Sequence, residues 1–265
     1  MRSSVLFMSP GVAVMDVWCE PGPNPPSDIE IEPEFGVSIP RSGMYVRRMT
    51  DGDFFVDPSV MVLRNRGEEQ VTVHPTNSGD RNTDIQFSQD LVEPLLNKGG
   101  RFRSRFHPND PAVALRHHQL LVACRSAAGN ALEIEERALR LLAMSAVFES
   151  PTEALPRHRR IVDETRQLLA TRFRDDMDLR TLARAIGMSP FHLSRVFHRA
   201  VGRTMHSYRT HLRVQWVIET LSQGAPDLSL VAIEAGFSDH SHMTRVFRSF
   251  LDATPSQVRS MIGPQ

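Results

Sequence analysis

The sequence predicts an α+β fold: an N-terminal small β-barrel with a helical pair over residues 1–150, then an all-α domain over residues 157–265. Short apolar runs separated by turn residues occupy most of the first hundred residues, which is typical of small barrels and sandwiches. Apolar residues at helical spacing begin near Asp110 and continue to the end. A segment between Pro151 and Pro156 predicts a linker that divides the chain.

The predicted strands lie between residues 36 and 96, after an acidic, proline-rich stretch (residues 18–35) that predicts a loop. Turn pairs mark their ends: Asp-Gly at 51–52, Asp-Pro at 57–58 and Gly-Glu at 67–68. The strand segments are MYVRRM, FFV, VMVLRNR, QVTVHP and DIQFS. This regular punctuation favours a small all-β unit.

Two helices are predicted to follow the strands. Asp110 is an N-cap residue and Pro111 suits the first helical position, so a helix starts there and ends near Gly129. In the second helix Leu132, Leu139, Leu142 and Val147 are predicted to lie along one side. We expect these helices to form a homodimer contact, with packing on the barrel as the alternative.

The distribution of charged residues and the low cysteine content restrict the classes of protein to which this chain can belong. From residue 157 onward there are 16 Arg against 10 Asp plus Glu, a net +6, and the preceding part is net −6, which indicates a basic module beside an acidic domain. With only Cys19 and Cys124, neither a disulfide framework nor a four-cysteine zinc site is expected.

The N-terminus shows no signal-peptide cleavage site, and no apolar run approaches the roughly 18–20 residues that span a bilayer. A cytoplasmic protein without a membrane partner is predicted.

An internal repeat dominates the second domain. The segment 178–187 (DLRTLARAIG) aligns without gaps on 227–236 (DLSLVAIEAG). Each copy has an Asp cap, apolar residues at helical spacing with a small Ala (Ala183, Ala232), and a closing Gly. A helix containing Arg-Val-Phe follows each copy, which is the helix-turn-helix pattern. The segment between the copies is apolar on two sides and predicts a rigid connector, so we expect the domain to hold its own core.

The second helix of each copy has a polar outer face. Phe191 and Arg195 share this face in the first copy, where Phe191 suits a thymine methyl group and Arg195 a guanine edge. Plain solvent exposure is the alternative. The candidate DNA-binding residues are Ser189, Pro190, Phe191, Ser194, Arg195, His198, Arg199, His240, Ser241, His242, Arg245 and Arg248. Candidate phosphate contacts include Arg199, Arg203, Arg209 and Arg248.

The pair His240 and His242 is also a candidate metal motif. Residues i and i+2 on a helix point roughly 200° apart, so both side chains cannot face one ion. A strand would bring them together, but the apolar period of this segment is helical. We therefore expect neither a metal nor another cofactor here, and hydrogen bonds to bases or phosphates instead.

The segment from about Asp178 to Arg259 resembles the C-terminal DNA-binding region of the AraC/XylS family of transcription regulators. The motifs are LARAIGMSPFHLSRVFHRAVGRTMHSYRTHLR and AIEAGFSDHSHMTRVFRSFLDATPSQVR. The resemblance implies seven helices with two helix-turn-helix units, joined by a long helix and placed in successive major grooves. The base-contacting positions that it implies are Phe191, Ser194, Arg195, His240, Ser241, His242 and Arg245.

The N-terminal segment resembles the cupin-like sensor domains of some family members. Metal-binding cupins carry an H-x-H and a Glu on barrel strands, whereas only His74 lies in a comparable strand here, so no metal is expected. A small barrel can enclose one ligand. The candidate effector-binding residues are Tyr45, Phe55, His74 and Phe87, with ordinary core positions as the alternative.

Together these features predict an effector-responsive regulator that binds promoter DNA as a homodimer. Activation and repression both remain open, and RNA polymerase is the candidate partner of an activator. One alternative is a DNA-targeted alkyl-repair enzyme with a nucleophilic cysteine. Cys19 is predicted in a loop with no nearby His and Cys124 on an apolar helix, so we expect no enzyme. The other alternative is an architectural protein that binds DNA without an effector.

Overall fold

A computed structural model describes residues 1–23, 25–126, 129–146 and 156–264 of the chain. Strands and short turns fill the first part of these residues, and helices fill the rest. The strands are β1 (Arg2–Met8), β2 (Val12–Cys19), β3 (Glu30–Ile31), β4 (Phe35–Gly43), β5 (Tyr45–Met49), β6 (Gly52–Val56), β7 (Val60–Arg64), β8 (Glu69–Val73), β9 (Asp80–Phe87) and β10 (Phe106–Pro108). The helices are α1 (Gln89–Val92), α2 (Pro111–Arg125), α3 (Ala131–Ala146), α4 (Pro156–Thr171), α5 (Leu179–Ile186), α6 (Pro190–Val201), α7 (Met205–Ser222), α8 (Leu228–Glu234), α9 (His240–Leu251) and α10 (Pro255–Ile262).

The strands form two antiparallel sheets. The larger has the order β1-β2-β9-β4-β7-β10, and the smaller has the order β3-β8-β5-β6. The hairpin predicted around the Asp-Gly turn is present, with Met49 paired with Gly52. The predicted α+β class is confirmed. Its N-terminal β unit consists of two sheets, and in the described residues no strand pairing closes them into one barrel.

The β1–β2 hairpin was not predicted from the sequence. β2 lies between β1 and β9, and it extends to Cys19, inside the stretch predicted as a loop. Its buried positions include Asp16 as well as Val14 and Val17, so apolar and polar residues do not alternate cleanly along it. The strand is defined by its pairing with β9, a segment far along the chain, and local periodicity does not report such a partner.

The helices α2 and α3 pack on the larger sheet. Leu120 and Leu121 from α2 and Leu142 from α3 are buried in one core with the strand residues, and Leu139 packs against it. The predicted helical pair is therefore confirmed, and its leucines have partners within their own chain. Leu132, expected on the same side, is exposed, which corrects that part of the prediction. Val147 and the linker residues 151–155 lie outside the described residues.

The helix α7 connects the C-terminal helices. Its N-terminal half packs in a core with α5 and α6, and its C-terminal half packs in a second core with α8, α9 and α10. In the first core the buried α7 residues are Met205, Tyr208 and Leu212. In the second core they are Val214, Val217, Ile218 and Leu221. The predicted connector with two apolar sides is therefore confirmed. None of the described helices is long and apolar enough to cross a bilayer.

The helix α2 also packs against the C-terminal helices. Ala114 is buried in the core of α7 to α10, and Leu115 and Val122 pack against that core. The core of α5 to α7 lies wholly within residues 157–265, and α2 adds Ala114 to the core of α7 to α10. The apolar surface of α2 is used on two sides, toward the sheet and toward α7.

Candidate nucleic-acid interface

The first helix-turn-helix unit is built by α5 and α6. The Asp178 carboxylate accepts a hydrogen bond from the Thr181 backbone N–H at 2.7 Å, which caps α5 as the sequence predicted. Gly187 ends the helix with φ 73°, in the left-handed region that glycine adopts without strain. Ala183 is fully buried, so α6 can cross α5 closely. Local sequence signals therefore determine this turn.

The helix α6 presents an exposed face with one large aromatic ring. Phe191 is 73% exposed, and the Arg195 guanidinium lies 5.6 Å from the centre of its ring. Ser189 caps the helix by accepting a hydrogen bond from the His192 backbone N–H at 3.3 Å. Leu193 and Phe197 are fully buried on the opposite side. The predicted division into a core face and an outer face is present, and His198 and Arg199 are also exposed while Pro190 and Ser194 are half-buried.

The second unit, α8 and α9, repeats this construction. Asp227 caps α8 through hydrogen bonds from the Ser229 and Leu230 backbone N–H groups. Gly236 has φ 84°, and a Cβ atom there would lie 2.4 Å from the Arg174 carbonyl oxygen, so glycine is required. Asp239 caps α9 through a 2.7 Å hydrogen bond from the His242 backbone N–H. The residues Ser241, Arg245 and Arg248 are exposed on α9.

The histidines of α9 differ in their surroundings. His242 faces back toward its own cap: its Nδ1 lies 3.1 Å from the Ser238 hydroxyl and its ring packs edge-on against Phe237. This corrects the expectation that His242 projects outward. His240 is half-buried at the start of the helix, and its Nε2 is buried without a hydrogen-bond partner among the described residues. Both lie on a helix, as predicted.

Two of the predicted phosphate contacts are used inside the protein. Arg203 donates to His211 at 2.7 Å and to Asp110 at 3.2 Å. Arg209 donates to the backbone oxygens of Asp175 and Met177. These arginines were indistinguishable from exposed ones in the sequence, because their acceptors lie on other elements. The candidates Arg199 and Arg248 remain exposed.

The four residues predicted to line an effector site do not share one cavity. Phe87 is buried in the core beneath α2 and α3, whereas Tyr45 lies in a separate small cluster. Phe55 lines a cavity between the two halves of the chain. His74 lies beside Cys19, which corrects the expectation that this cysteine has no histidine nearby.

A buried polar cluster joins the N-terminal part to α4 and α7. The Tyr208 hydroxyl donates to the Asp57 carboxylate and accepts from the Arg166 guanidinium at 3.1 Å. Arg166 also donates to the Phe55 carbonyl oxygen at 3.1 Å, and its Nη2 lies 3.5 Å from Asp57. Burial raises the pKa of Tyr208, so the hydroxyl keeps its proton. From the sequence, Tyr208 is expected only as one of the apolar residues along the connector between the two repeat copies.

A second buried cluster surrounds Glu219 on α7. Its carboxylate lies 2.9 Å from His118 Nε2 and 3.7 Å from the Arg41 guanidinium. Burial alone would raise the pKa of Glu219, but the hydrogen bond from His118 and the charge of Arg41 hold it well below its usual value. Arg41 also pairs with Asp16 in the larger sheet. The carboxylate is therefore charged and links α7 to the β domain.

His211 forms a third polar contact across the same boundary. Its Nε2 donates to the Asn109 backbone oxygen at 2.7 Å, and Gln215 donates to the same oxygen at 2.6 Å. Burial and the adjacent Arg203 lower the pKa of His211 to about 4, so the ring is neutral near pH 7. The sequence offered no signal for these contacts, since each joins residues about a hundred positions apart.

A cavity of about 560 Å³ opens beside the Tyr208 cluster. The β domain contributes three phenylalanines, Phe54, Phe55 and Phe106, and the helical part contributes Val162 and Val201. Its arginines outnumber its carboxylates. The charged lining residues are Arg103, Arg105, Arg159, Arg166 and Arg203, against Asp53 and Asp163.

Known proteins resemble the C-terminal part. Residues 182–261 match the helix-turn-helix domain family. The HTH-type transcriptional regulator GlxA of Rhizobium meliloti is 32% identical over 89 residues, 33% of this chain and 27% of GlxA. The arabinose operon regulatory protein of Escherichia coli is 28% identical over 85 residues, 32% of this chain and 29% of that protein. The solved structure of ToxT from Vibrio cholerae covers 96% of this chain and 100% of its own, at 11% identity and a TM-score of 0.39.

The matched part spans less than a third of the two curated relatives. In the C-terminal part, the seven helices α4 to α10 include the two capped helical pairs and the long connector that the sequence motifs implied. The family match begins in α5 and ends in α10, so it includes both units. Residues 182–261 of this protein therefore form a helix-turn-helix domain of the matched family, similar to the C-terminal parts of these regulators.

Proposed function

We propose that the protein is a sequence-specific transcription regulator that binds promoter DNA in the cytoplasm. The observation that supports this most is the pair of capped helices, α6 and α9, each with exposed Arg side chains, held on one connector. The connector α7 has 18 residues and is therefore roughly 27 Å long. That length is close to the roughly 34 Å between successive major grooves on one face of DNA.

A selection from random duplexes tests this proposal. Full-length protein should enrich a site with two sequence boxes about 10 bp apart, centre to centre. Footprinting on the enriched site should then show protection of two adjacent major grooves on one face. Equal retention of all sequences would favour the architectural alternative instead.

The enzyme alternative receives no support from the thiols. Burial raises the pKa of Cys124 to about 11, so its reactive thiolate is scarce at neutral pH. Burial and the nearby Asp80 also raise the pKa of the free Cys19 thiol. We therefore propose that the protein acts by binding and not by covalent repair.

We further propose that a small effector occupies the cavity between the two halves, and not the interior of a barrel. A ligand there would contact β6 and β10 on one side and α4 and α7 on the other. It could then favour one arrangement of the halves over another, as any effector must. The three phenylalanines and the exposed Arg103 suit a carboxylate with an apolar body.

Calorimetric titration with aromatic and aliphatic carboxylates of increasing size measures their affinity for the proposed effector site. We expect Arg103→Gln to weaken the best binder about tenfold, or about 1.4 kcal/mol. Arg66→Gln, which removes an exposed arginine outside the lining, is the matched control and should bind normally. Equal losses in both variants, or no binding of any carboxylate by the wild type, would contradict the assignment.

Homodimer formation and contact with RNA polymerase remain proposals. The leucines that suggested a dimer contact, Leu139 and Leu142, pack on the larger sheet of the same chain. On α3, Leu132 is exposed and offers an apolar side chain to a second copy. A dimer would double the number of base pairs contacted at paired sites.

A further inference from the structure

Three potential ligand residues meet at one end of the β domain. Cys19 ends β2 and is paired with Asp80, the first residue of β9. His74 follows β8 and approaches from the loop between β8 and β9. One potential ligand atom from each residue lies within 4.8 Å of the other two. Sulfur, nitrogen and oxygen donors from three separate segments thus converge on one point.

The cluster is buried and its hydrogen bonding is incomplete. The side chains of His74 and Asp80 are each 5% exposed, and His74 Nε2 lies 2.5 Å from Asp80 Oδ1. His74 Nδ1 is buried and has no hydrogen-bond partner among the described residues. The Asp80 carboxylate also accepts hydrogen bonds from the amide of Asn82 and the thiol of Cys19, and the N-terminal amino group of Met1 lies beside Cys19. The buried ring nitrogen of His74 that lacks a partner calls for a ligand there, such as a water or an ion.

The backbone around the cluster leaves little room to move. Gly79, with φ 67°, lies so close to β2 that a Cβ atom would be 2.5 Å from the Cys19 carbonyl oxygen. Gly43 pairs with Asp80 and has φ 74°, and a Cβ atom on it would be 2.1 Å from the Gly79 oxygen. The ends of β2, β4 and β9 are therefore packed together, so that the ligands are positioned before any ion arrives.

We propose that Cys19, His74 and Asp80 bind a divalent transition-metal ion of the zinc class. Thiolate, imidazole and carboxylate are the three ligand types that Zn²⁺ accepts, and harder ions such as Mg²⁺ and Ca²⁺ disfavour the sulfur. Three protein ligands leave a fourth tetrahedral position for water. Cys19 is half-buried, so an ion can enter and leave.

The chemistry of loading involves protons. The Cys19 thiol loses its proton to solvent as the sulfur–metal bond forms, while neutral His74 contributes a lone pair and Asp80 its negative charge. The ion thereby takes the place of the thiol proton on the sulfur, and no electron transfer takes place. This site is independent of the proposed DNA contacts, since none of its residues lies in the helical part.

Cobalt binding to the full-length protein tests the proposal. After chelator treatment, titration with Co²⁺ should give one ion per chain and a thiolate-to-cobalt charge-transfer absorption, which Zn²⁺ abolishes by displacement. Cys19→Ser should remove the absorption. Asp80→Asn, which keeps the shape of the side chain, should weaken binding about tenfold or more.

Two matched controls assign the ligands. Cys124→Ser removes the other cysteine, and His240→Gln with His242→Gln removes the second histidine pair, and both variants should keep the absorption. Circular dichroism of each variant verifies that it is folded. Absence of the absorption in the wild type, its survival in folded Cys19→Ser, or its loss in folded Cys124→Ser would overturn the site.

Discussion

Replacing Arg195 with Ala is expected to relax base preference in one box of the DNA site, and Arg245→Ala in the other box. Each side chain is exposed on its recognition helix, so its loss removes a base contact without disturbing a core. A bidentate arginine–guanine contact contributes about 1–3 kcal/mol of discrimination. Selection from random duplexes, repeated with each purified variant, measures the change at every base pair.

The control is Arg248→Ala, an exposed arginine on the same helix as Arg245. As a phosphate contact it should weaken binding to all sequences alike and reduce the salt dependence of affinity. If Arg195→Ala and Arg245→Ala altered the same base pairs, the two units would not occupy separate grooves. That result would contradict the proposed arrangement on DNA.

Replacing Asp57 with Ala is expected to lower the free energy of unfolding by about 3–5 kcal/mol. Asp57 is fully buried, accepts a hydrogen bond from Tyr208, and lies 3.5 Å from the Arg166 guanidinium. Its removal leaves the buried positive charge of Arg166 with the more distant carboxylate of Asp163, at 3.9 Å. Urea denaturation of the full-length protein, monitored by circular dichroism, measures the loss.

A comparison with a double mutant isolates the contribution of the buried Arg166 charge to the loss of stability. Asp57→Ala combined with Arg166→Met removes both charges, so it should recover part of the lost stability. Tyr208→Phe removes a neutral hydroxyl, which donates to Asp57 and accepts from Arg166, and should cost less than Asp57→Ala. A loss below about 1 kcal/mol for Asp57→Ala would show that the cluster does not hold the two halves together.

The helix-turn-helix units could be predicted because their determinants are local. Asp178 and Asp227 cap the first helices, Gly187 and Gly236 follow their ends, and in each unit the cap and the glycine lie nine residues apart. The core and outer faces of α6 follow from a period of 3.6 residues. The outward direction of Phe191 was accordingly predicted. The contact of His242 with Ser238 was not predicted, because it depends on the geometry of the cap.

The β domain was only partly predictable. Hairpins with tight turns, such as β5–β6, are local and were found. The strand β2 pairs with β9 across a long stretch of chain, and its buried Asp16 breaks the apolar alternation, so it was missed. The same pairing brings Cys19 beside Asp80. A metal cluster assembled across strands therefore has no spacing motif in the sequence.

The sequence by itself determined the α+β class, the repeated helix-turn-helix units and the exposed arginines, because these depend on caps, turns and periodicity within short segments. The tertiary structure alone decided which charges are buried. Arg195 and Arg203 look alike in the sequence, yet Arg203 pairs with Asp110 across the boundary between the two halves. Burial of a charge depends on partners about a hundred residues away, and only the packing of α2, α4 and α7 on the sheets brings those partners together.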